Sequence, residues 1–354
     1  MAKKAKSQIK NKKIKLVLVT GASGFVGGHC VKELIERGYR VRASVRSLED
    51  ADKYQYLKDL DPKLELVQGE LLNPDHWIEA TKGVDAVLHV AASLPRNQPK
   101  KEEELIEPTL KGVENVFNGC LANGVKRIIL TSSMLCFFSG HEKEKTEFTE
   151  DDFSVTENLG FYHKAKTLAE LRAWEIVKEN ENKLDLTVLS PGLIFGVPIA
   201  NIGCASNDFL AKLMQGEFPS IPQIKLFIVG VRDVALAHIN CLSLADTIGK
   251  RYAIFSQGFW FKEIVAILAE KYGERGYKLP KSDMWYTTFY MVGWLDFMIN
   301  SMRNEWKKDI QMSNERSINE LDLKYEEPAS FLYDTADFLL DNGTIKKSKQ
   351  DLAE

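Results

Sequence analysis

Residues 15–27, which read KLVLVTGASGFVG, decide the fold. Lys15–Val19 is an apolar run of strand length, and Cys30–Arg37 has helical spacing. Between them, three glycines form the pattern G-x-x-G-x-x-G at Gly21, Gly24 and Gly27. Glycines at this spacing allow a tight turn, close approach of a pyrophosphate to the backbone, and close packing of helix on strand. The stretch predicts a dinucleotide-binding turn, and a turn with only a packing role is the alternative.

The phosphates of such a cofactor would lie at the N-terminus of the helix, where free N–H groups and the helix dipole attract anions. We therefore expect cofactor contacts along the whole turn, from Gly21, Ser23, Gly24, Phe25, Val26 and Gly27.

Strand-like and helical segments alternate through the first half of the chain. Further strands are predicted at Arg40–Val45, Leu64–Gln68, Asp85–Val90, Arg127–Leu130 and Leu186–Leu189. Helices are predicted at Pro74–Thr81, Leu105–Asn123 and Tyr162–Glu179. This alternation is typical of βαβ units. We expect an α/β fold, a Rossmann-type doubly wound parallel sheet with a smaller, mostly helical substrate domain.

The alternation changes after Pro191, where proline and glycine become frequent up to Pro222. A strand-like run at Lys225–Val229 and a helix-rich part from about Phe259 follow. The predicted division gives 14–192 and 225–256 to a dinucleotide-binding domain, and 193–224 and 257–344 to a substrate-binding domain. Residues 1–13 are predicted to be a disordered basic arm, and 345–354 a disordered tail.

Charge and composition exclude several classes of protein. The chain of 354 residues has a formal charge of −3, but residues 1–15 hold seven lysines and no acid. The other 40 basic residues against 50 acidic ones leave −10, which disfavours a nucleic-acid-binding protein. No apolar run is long enough to span a bilayer. Five widely spaced cysteines without C-x-x-C argue against disulfides and zinc, so we expect no metal and a cytoplasmic protein.

The end of the second strand distinguishes NAD from NADP. An acidic residue there binds the ribose 2′-hydroxyl of NAD, whereas an arginine accepts the 2′-phosphate of NADP. The sequence has no acid at the strand end, and Arg46 stands just beyond it, with Ser44 and Ser47 as further donors. NADP(H) is therefore the predicted cofactor. The alternative is a solvated Arg46 paired with Glu49 or Asp50.

The ends of the third and fourth strands supply further candidates for cofactor binding. Glu70 and Leu71 follow the third strand, where an acidic side chain can accept from adenine N6. Small residues at the end of the fourth strand leave room for the dinucleotide, at Val90, Ala91 and Ala92. Packing at strand ends is the alternative for both groups.

A tyrosine and a lysine with Y-x-x-x-K spacing form the catalytic candidate, at Tyr162 and Lys166. Residues at i and i+4 share one face of a helix, so the phenol and the ammonium would meet. The fifth strand is followed by Ser132 and Ser133, at the sheet edge where ligands bind. Reduction of a carbonyl needs a proton donor and a group that polarises the oxygen, which a phenol near an ammonium and a serine hydroxyl supply.

The glycine turn, the serine-bearing strand and Y-x-x-x-K together resemble the extended short-chain dehydrogenase/reductase superfamily, from Val17 to about Asn342. Further matches resemble its dihydroflavonol reductase-like and aldehyde reductase-like group, which belongs to the NAD-dependent epimerase/dehydratase family. These are Val45-Arg46, Pro108-Thr109, Lys166–Glu170 (KTLAE), Ser190–Leu193 (SPGL) and Val231–Ala235 (VRDVA).

The resemblance implies a role for each matched residue. Tyr162 would be the acid/base, Lys166 would bind the nicotinamide ribose and lower the pKa of Tyr162, and Ser133 would polarise the carbonyl. Ser132 and the backbone at Pro191, Gly192 and Leu193 would contact the nicotinamide end of the cofactor.

The sequence departs from the group at three places. Thr109 stands where many members of the superfamily carry a relay asparagine, and Glu70 replaces the usual aspartate. Met134–Phe138 (MLCFF) is bulkier than the glycine-rich segment of plant members, and it predicts a hydrophobic pocket beside Ser133.

The leading hypothesis is an NADP(H)-dependent reductase of an apolar or aromatic aldehyde or ketone, acting as a monomer or homodimer. A nucleotide-sugar epimerase or dehydratase, a hydroxysteroid dehydrogenase-like enzyme and a non-catalytic NADP sensor are the alternatives. Aromatic residues between 285 and 294 favour the steroid alternative or a membrane contact if they line a pocket or surface, although core packing is the simpler interpretation. They are Trp285, Tyr286, Phe289, Tyr290 and Trp294.

Overall fold

The computed structural model describes residues 14–49, 51–92, 101–157, 159–293 and 302–352. Its strands are β1 Leu16–Thr20, β2 Arg40–Val45, β3 Glu65–Gln68, β4 Ala86–His89, β5 Arg127–Thr131, β6 Glu147–Phe148, β7 Asp185–Pro191, β8 Leu193–Phe195, β9 Lys225–Gly230, β10 Arg251–Ile254, β11 Gln257–Trp260 and β12 Gln311–Met312. Its helices are α1 Phe25–Glu36, α2 Gln55–Leu60, α3 Pro74–Ala80, α4 Glu103–Asn123, α5 Leu135–Phe138, α6 Phe161–Glu179, α7 Ala205–Met214, α8 Val231–Ser243, α9 Phe261–Tyr272, α10 Tyr286–Val292, α11 Glu315–Leu321 and α12 Pro328–Asp341. Short 3-10 helices lie at Ala51–Tyr54, Ala245–Thr247 and Arg303–Glu305.

The main sheet has seven strands in the order β10-β7-β5-β4-β1-β2-β3, and all of its neighbouring strands are parallel. The strand order reverses between β1 and β4, which pair with Thr20 opposite His89. In open α/β sheets the ligand crevice lies at such a reversal, outside the carboxyl ends of the strands. The predicted doubly wound parallel sheet is confirmed.

Successive side chains of β1 are buried on opposite faces of this sheet, because side chains along a strand alternate between its two faces. Val17 and Val19 pack in the core beneath α1 and α8, whereas Leu16 and Leu18 pack in the core beneath α3, α4 and α6. Both faces are therefore covered by helices, which explains the continuous apolar runs of the strands.

A second sheet of three strands, in the order β11-β9-β8, belongs to the C-terminal part of the molecule. Leu226 and Ile228 of β9 pack in a separate core with α7, α9 and α12. The predicted division gives β9 to the dinucleotide-binding domain, and the structure differs there because β9 pairs with β8 and β11. The following helix α8 does pack on α1 of the main sheet.

The predicted disordered tail at 345–354 is wrong for the residues described, which extend to position 352. The side chain of Ile345 is 1% exposed in the C-terminal core. Arg275 Nε donates to Asp351 Oδ1 at 2.9 Å, and Ser348 Oγ donates to the carbonyl of Arg275. These contacts fix the segment onto the loop after α9. The predicted basic arm at 1–13 and the last two residues lie outside the described part of the chain.

Within the described ranges, no helix combines the length and the apolar character that crossing a membrane requires.

Candidate active site

The glycine turn joins β1 to α1 at the reversal of the strand order. Gly21 has φ of +64°, a left-handed conformation that favours glycine. Gly24 N–H donates to the carbonyl of Gly21 at 2.9 Å and precedes the first residue of α1. A Cβ atom on Gly27 would lie only 2.1 Å from the Gly21 carbonyl oxygen. The turn thus brings bare backbone and a helix N-terminus together, an arrangement that fits a pyrophosphate.

Thr20 connects the ends of β1 and β4 beside this turn. Its Oγ1 accepts from the N–H groups of Val90 and Ala91, both at 3.0 Å, so its own proton is left for His89 Nδ1 at 2.9 Å. His89 is 1% exposed, which confirms the prediction of a core histidine. Burial lowers the pKa of His89 to about 3, and it is therefore neutral with its proton on Nε2. The chain at Val90 is thus held against the glycine turn.

The residues that follow β2 include an exposed arginine, Arg46. Arg46 is exposed and forms no ion pair with any residue in the described part of the chain, and Asp50 lies outside that part. Ser47 Oγ accepts from the N–H of Glu49 at 3.2 Å. Ser44 differs from the prediction: its side chain is fully buried against Gly69, where a Cβ atom would lie 2.7 Å from Ser44 Oγ.

The predicted adenine-side residues follow β3. Glu70 is exposed, its carbonyl accepts from Trp77 Nε1 at 2.9 Å, and its carboxylate side chain is at the surface. Leu71 packs against Gly112 of α4, and its carbonyl accepts from Asn115 Nδ2 at 2.8 Å. Tyr56 was missed from the sequence: its hydroxyl donates to the carbonyl of Ser23 at 3.2 Å, so α2 supports the glycine turn.

Tyr162 and Lys166 lie one turn apart near the start of α6, as Y-x-x-x-K predicts. Lys166 Nζ donates to the carbonyl of Thr131 at 3.1 Å, at the carboxyl end of β5. Ser133, two residues later, is 8% exposed, and its hydroxyl accepts from the N–H of Leu135 at 3.3 Å. The helix bearing the tyrosine and lysine is therefore joined to the strand end that bears the serine.

Burial has opposite effects on the two ionisable groups of α6. It raises the pKa of Tyr162 to about 12, and the nearby Cys136 thiol adds to this. Burial lowers the pKa of Lys166, and Cys136 and Glu170 oppose that shift. Tyr162 is accordingly a protonated phenol at neutral pH, and the lowering of its pKa by Lys166 that the resemblance implies is not seen in this structure, where burial dominates.

A small cavity lies at the carboxyl ends of β4 and β5, between α4 and α6. Among the predicted site residues, it is lined by Leu71, Ala91, Ala92, Ser132 and Lys166. It is also lined by polar residues to which sequence reasoning gave no site role, His89, Thr131 and Glu170, and by Thr109 of α4. Thr109 Oγ1 donates to the carbonyl of Leu105 at 2.6 Å, so only its lone pairs face other partners.

The backbone at Pro191–Leu193 crosses from β7 to β8 beside the serine segment. The carbonyl of Pro191 accepts from the N–H of Met134 at 3.0 Å, and Gly192 N–H donates to the carbonyl of Ile254. A Cβ atom on Gly192 would lie 2.2 Å from the carbonyl oxygen of Phe227, so the chain there is closely packed.

The segment Met134–Phe138 does not form the predicted pocket wall. Met134, Phe137 and Phe138 are at most 4% exposed and pack in a core with residues such as Phe227 and Phe255. Leu135 alone is partly exposed. Cys136 is a buried thiol whose pKa burial raises to about 11, in agreement with its interpretation as a small hydrophobe.

Two further histidines near the site, His163 and His238, are buried in the core. His163 is fully buried, and within the described ranges its ring nitrogens have no hydrogen-bond partner. Burial lowers its pKa to about 4, so it is neutral. His238 Nδ1 lies 2.7 Å from the carbonyl of Val234, and Nε2 lies 2.7 Å from Thr131 Oγ1. His238 thereby steadies the end of β5.

The aromatic residues after position 284 divide between core and surface. Phe289 is fully buried and stacks on Trp306 with 4.6 Å between ring centroids. Trp285 is 80% exposed, and Tyr286 and Tyr290 are also exposed. The interpretation as core packing is correct for Phe289 and wrong for these three, whereas Trp294 lies outside the described residues.

A glycine turn at the reversal of a doubly wound parallel sheet, with a tyrosine and a lysine one helical turn apart beside it, defines a protein of the extended short-chain dehydrogenase/reductase class. Comparison with known proteins agrees. The chain belongs to the NAD dependent epimerase/dehydratase family, whose model matches residues 17–223. The predicted resemblance is confirmed.

Several similar proteins are named reductases. A cinnamoyl-CoA reductase of Medicago truncatula is 34% identical over 268 residues, covering 73% of this chain and 81% of that protein. Cinnamoyl-CoA reductase 1 of Arabidopsis thaliana is 29% identical over 339 residues, covering 94% and 91%. The crystal structure of the yeast methylglyoxal/isovaleraldehyde reductase Gre2 with NADPH superposes with a TM-score of 0.77 at 24% identity, covering 93% of this chain and 99% of that one. This last likeness concerns the fold.

Proposed function

We propose that the protein is an NADP(H)-dependent oxidoreductase that reduces an aldehyde or ketone to an alcohol, with Tyr162 as proton donor. The observation that carries this is the contact of Lys166 with the carboxyl end of β5, which brings Y-x-x-x-K to Ser133 beside the glycine turn. The names of the similar proteins support the same activity.

NADPH, when bound, supplies the hydride, and its oxidised ring supplies positive charge. The residues of the chain supply the rest of the chemistry. Ser133 donates a hydrogen bond to the substrate carbonyl oxygen, which polarises the carbonyl and stabilises developing negative charge. Tyr162 transfers its phenolic proton to that oxygen. A phenol is protonated at neutral pH, and burial raises the pKa of Tyr162 further, so release of its proton depends on positive charge from Lys166 and the oxidised ring.

Lys166 has two roles in this proposal. Its ammonium would bind the nicotinamide ribose hydroxyls and stabilise the phenolate that Tyr162 becomes after proton transfer. Arg46 would pair with the 2′-phosphate, since it is an exposed guanidinium without an ionic partner in the described chain. The phosphate-binding turn Gly21–Gly27 would hold the pyrophosphate.

The substrate is proposed to be a small carbonyl compound with an apolar or aromatic part. Support comes from the partly exposed Leu135 beside Ser133, and from the partly exposed Leu193 after Gly192. The buried thiols, all free, favour a reducing compartment such as the cytoplasm.

The test is oxidation of NADPH and NADH with a panel of aldehydes, ketones and flavanonols. The wild-type protein should consume NADPH faster than NADH with at least one carbonyl, and Tyr162→Phe should abolish that rate. The matched control is Tyr54→Phe, which removes a phenol hydroxyl outside the cavity at the end of a surface 3-10 helix. Full activity of Tyr162→Phe, or no reduction of any carbonyl, contradicts the proposal.

The family also contains epimerases and dehydratases of nucleotide sugars, which are the alternative function. A purified sample that carries tightly bound NAD and interconverts nucleotide sugars, without net consumption of NADPH, would favour that alternative. Arg46 has no ionic partner among the described residues, and this favours the reductase, because a guanidinium suits a 2′-phosphate better than a ribose hydroxyl.

A further inference from the structure

A buried ion pair joins the helix that carries Tyr162 and Lys166 to the last strand of the main sheet. Glu170, one turn after Lys166 on α6, is 1% exposed, and Arg251, the first residue of β10, is 7% exposed. Arg251 Nε donates to Glu170 Oε1 at 2.5 Å. Two charges removed from water in this way are stable only with good geometry and further hydrogen bonds. The partners of the pair therefore indicate what it holds in place.

The other carboxylate oxygen of Glu170 binds Ser132, at the end of β5. Glu170 Oε2 accepts a hydrogen bond from Ser132 Oγ, and Ser132 directly precedes Ser133. The N–H of Ser132 donates to the carbonyl of Leu189 on β7 at 2.7 Å. Ser132 is consequently fixed at both its backbone and its side chain, which limits the positions open to the next residue.

Arg251 holds the segments on either side of the site. Its Nη1 donates to the carbonyls of Glu150, at 2.8 Å, and Asp152, in the chain that leads to Tyr162. Its guanidinium lies 4.4 Å from the ring centroid of Phe137, which follows Ser133, and 3.6 Å from that of Phe153. Contacts of a guanidinium with two aromatic faces are favourable when desolvated. Each segment that carries a proposed catalytic residue thus contacts the ion pair directly or through one residue.

Among the residues that the structure describes, few charged groups act on Lys166. Glu170 on its own helix is the carboxylate that acts on it, Cys136 of α5 is the nearby thiol, and His89 of β4 is held neutral. The α4 residue in the same cavity is Thr109, which does not titrate, and β5 presents the carbonyl of Thr131. Burial lowers the pKa of Lys166, and removal of the Glu170 charge would lower it further.

We propose that Glu170 and Arg251 are positioning residues of the active site. Their ion pair holds Ser132, and through it Ser133, in register with Tyr162 and Lys166, and Glu170 supplies the negative charge that keeps the Lys166 ammonium in its cavity. This inference rests on the proposed function for the roles of Ser133, Tyr162 and Lys166.

The test uses the double variant Glu170→Gln/Arg251→Met, because removing both charges avoids leaving one of them buried without its partner. The matched control is Arg127→Met. Arg127 is 4% exposed, bonds the carbonyls of Asp185 and Cys241, and lies at the opposite end of β5 from the serines. Folding of each protein is checked by urea unfolding before activity is measured.

The double variant is expected to retain cooperative unfolding and a near-normal KM for NADPH at pH 7, while kcat falls about tenfold or more. The pH above which NADPH binding weakens, followed by nicotinamide fluorescence, should move to a lower value, because Lys166 loses its negative neighbour. Arg127→Met should lose stability but keep kcat and the wild-type pH dependence of NADPH binding.

The inference is overturned, with the proposed function intact, if the folded double variant keeps the wild-type kcat and the wild-type pH dependence of NADPH binding. If the wild-type protein reduces no carbonyl, the proposed function fails, and the pH dependence of NADPH binding still decides whether Glu170 acts on Lys166. A third outcome also overturns the inference. If the double variant loses cooperative unfolding while Glu170→Gln keeps the wild-type kcat and the wild-type pH dependence of NADPH binding, the ion pair serves folding only.

Discussion

At the scale of single residues, Arg46 is the residue proposed to select NADPH over NADH. Hydrogen bonds to charged groups contribute about 1.5–3 kcal/mol, so losing an Arg–phosphate pair should weaken binding about tenfold to a hundredfold. Arg46→Ala is therefore expected to raise the Kd for NADPH by that factor and to change the Kd for NADH little. Titration of nicotinamide fluorescence measures both constants.

Arg40→Ala is the matched control for this substitution, because Arg40 is an exposed arginine at the other end of β2 and pairs with Glu65 at 2.6 Å. It should leave both constants unchanged. Equal losses for NADPH and NADH in Arg46→Ala would show that Arg46 does not bind the 2′-phosphate.

Gly27 limits the geometry of the phosphate-binding turn. A methyl group there would lie 2.1 Å from the Gly21 carbonyl oxygen, well inside van der Waals contact, so the turn or α1 must shift. Gly27→Ala is expected to reduce affinity for NADPH and NADH alike, about tenfold or more, and to cost about 1–3 kcal/mol of unfolding free energy. Urea unfolding and fluorescence titration measure the two effects.

Gly203→Ala provides the comparison, because nothing lies within 4 Å of the added methyl group and the backbone there is not left-handed. Wild-type affinity in Gly27→Ala would mean that the close packing of α1 on the turn is unnecessary for cofactor binding.

The site residues that could be predicted from the sequence lie close together along the chain, whereas the residues that were missed are brought together only by folding. Tyr162 and Lys166 are four residues apart on one helix, so the period of the helix alone brings them together. Glu170 and Arg251 are 81 residues apart, and their contact depends on the pairing of β10 with β7 and on the placement of α6. No spacing in the sequence records that packing, and Ser44 was misassigned for the same reason, because its burial depends on Gly69.

At the scale of elements, the strands and long helices predicted in the first half agree with the structure to within a few residues, since each combines an apolar period with a turn, whereas the short helices α2 and α5 were not predicted. Helix α1 is the informative exception. It begins at Phe25, whereas apolar spacing was evident only from Cys30, because Gly27 and Gly28 interrupt the pattern in its first turns. Close packing against the phosphate-binding turn requires glycine there, so the functional demand obscured the local propensity.

The C-terminal segment was predicted to be a disordered tail, yet it is packed. Ile345 is 1% exposed in the C-terminal core, and truncating a buried isoleucine to alanine costs about 2–5 kcal/mol. Ile345→Ala should lower the free energy of unfolding by that amount, measured by urea unfolding. Leu352→Ala, at a side chain 71% exposed, should stay within about 0.5 kcal/mol of wild type. Equal stability of the two variants would indicate that the segment does not pack in solution.

At the scale of the whole molecule, the seven-stranded and three-stranded sheets have separate cores, and the chain crosses between these two sheets several times. Strand β9 pairs with β8 and β11, while the next helix, α8, returns to pack on α1. A change in composition after Pro191 indicated a second unit, but strand pairing across distant segments was not available from local patterns. The reductase and NADP(H) predictions agree with the names of similar proteins, whereas the roles of Ser133, Tyr162 and Lys166 stay predictions.

Glu305 joins the C-terminal part of the chain to Ser139, just after α5, and its carboxyl group makes the stability of the protein depend on pH. Its Oε1 accepts from Ser139 Oγ at 2.9 Å, and Oε2 is buried without a hydrogen-bond partner among the described residues. Burial raises the pKa of Glu305 to about 7, although Ser139 and Lys308 oppose the shift. The folded protein therefore holds this proton up to a higher pH than the unfolded chain, and the stability it contributes is lost as pH rises from about 4.5 to about 7.

Glu305→Gln keeps the shape of the side chain and removes this titration. The free energy of unfolding of wild type and Glu305→Gln should be similar at pH 4.5, and the variant should gain on wild type up to roughly 3 kcal/mol at pH 8. Buried histidines and Asp233 titrate in both proteins, so their contributions cancel in this difference. Urea unfolding of both proteins at half-unit steps of pH measures it, with Glu217→Gln, at an exposed position, as the control that should show a flat difference. A flat difference for Glu305→Gln as well would mean that water or a shifted Lys308 reaches the carboxylate, and that the contact between Ser139 and Glu305 is looser than the structure describes.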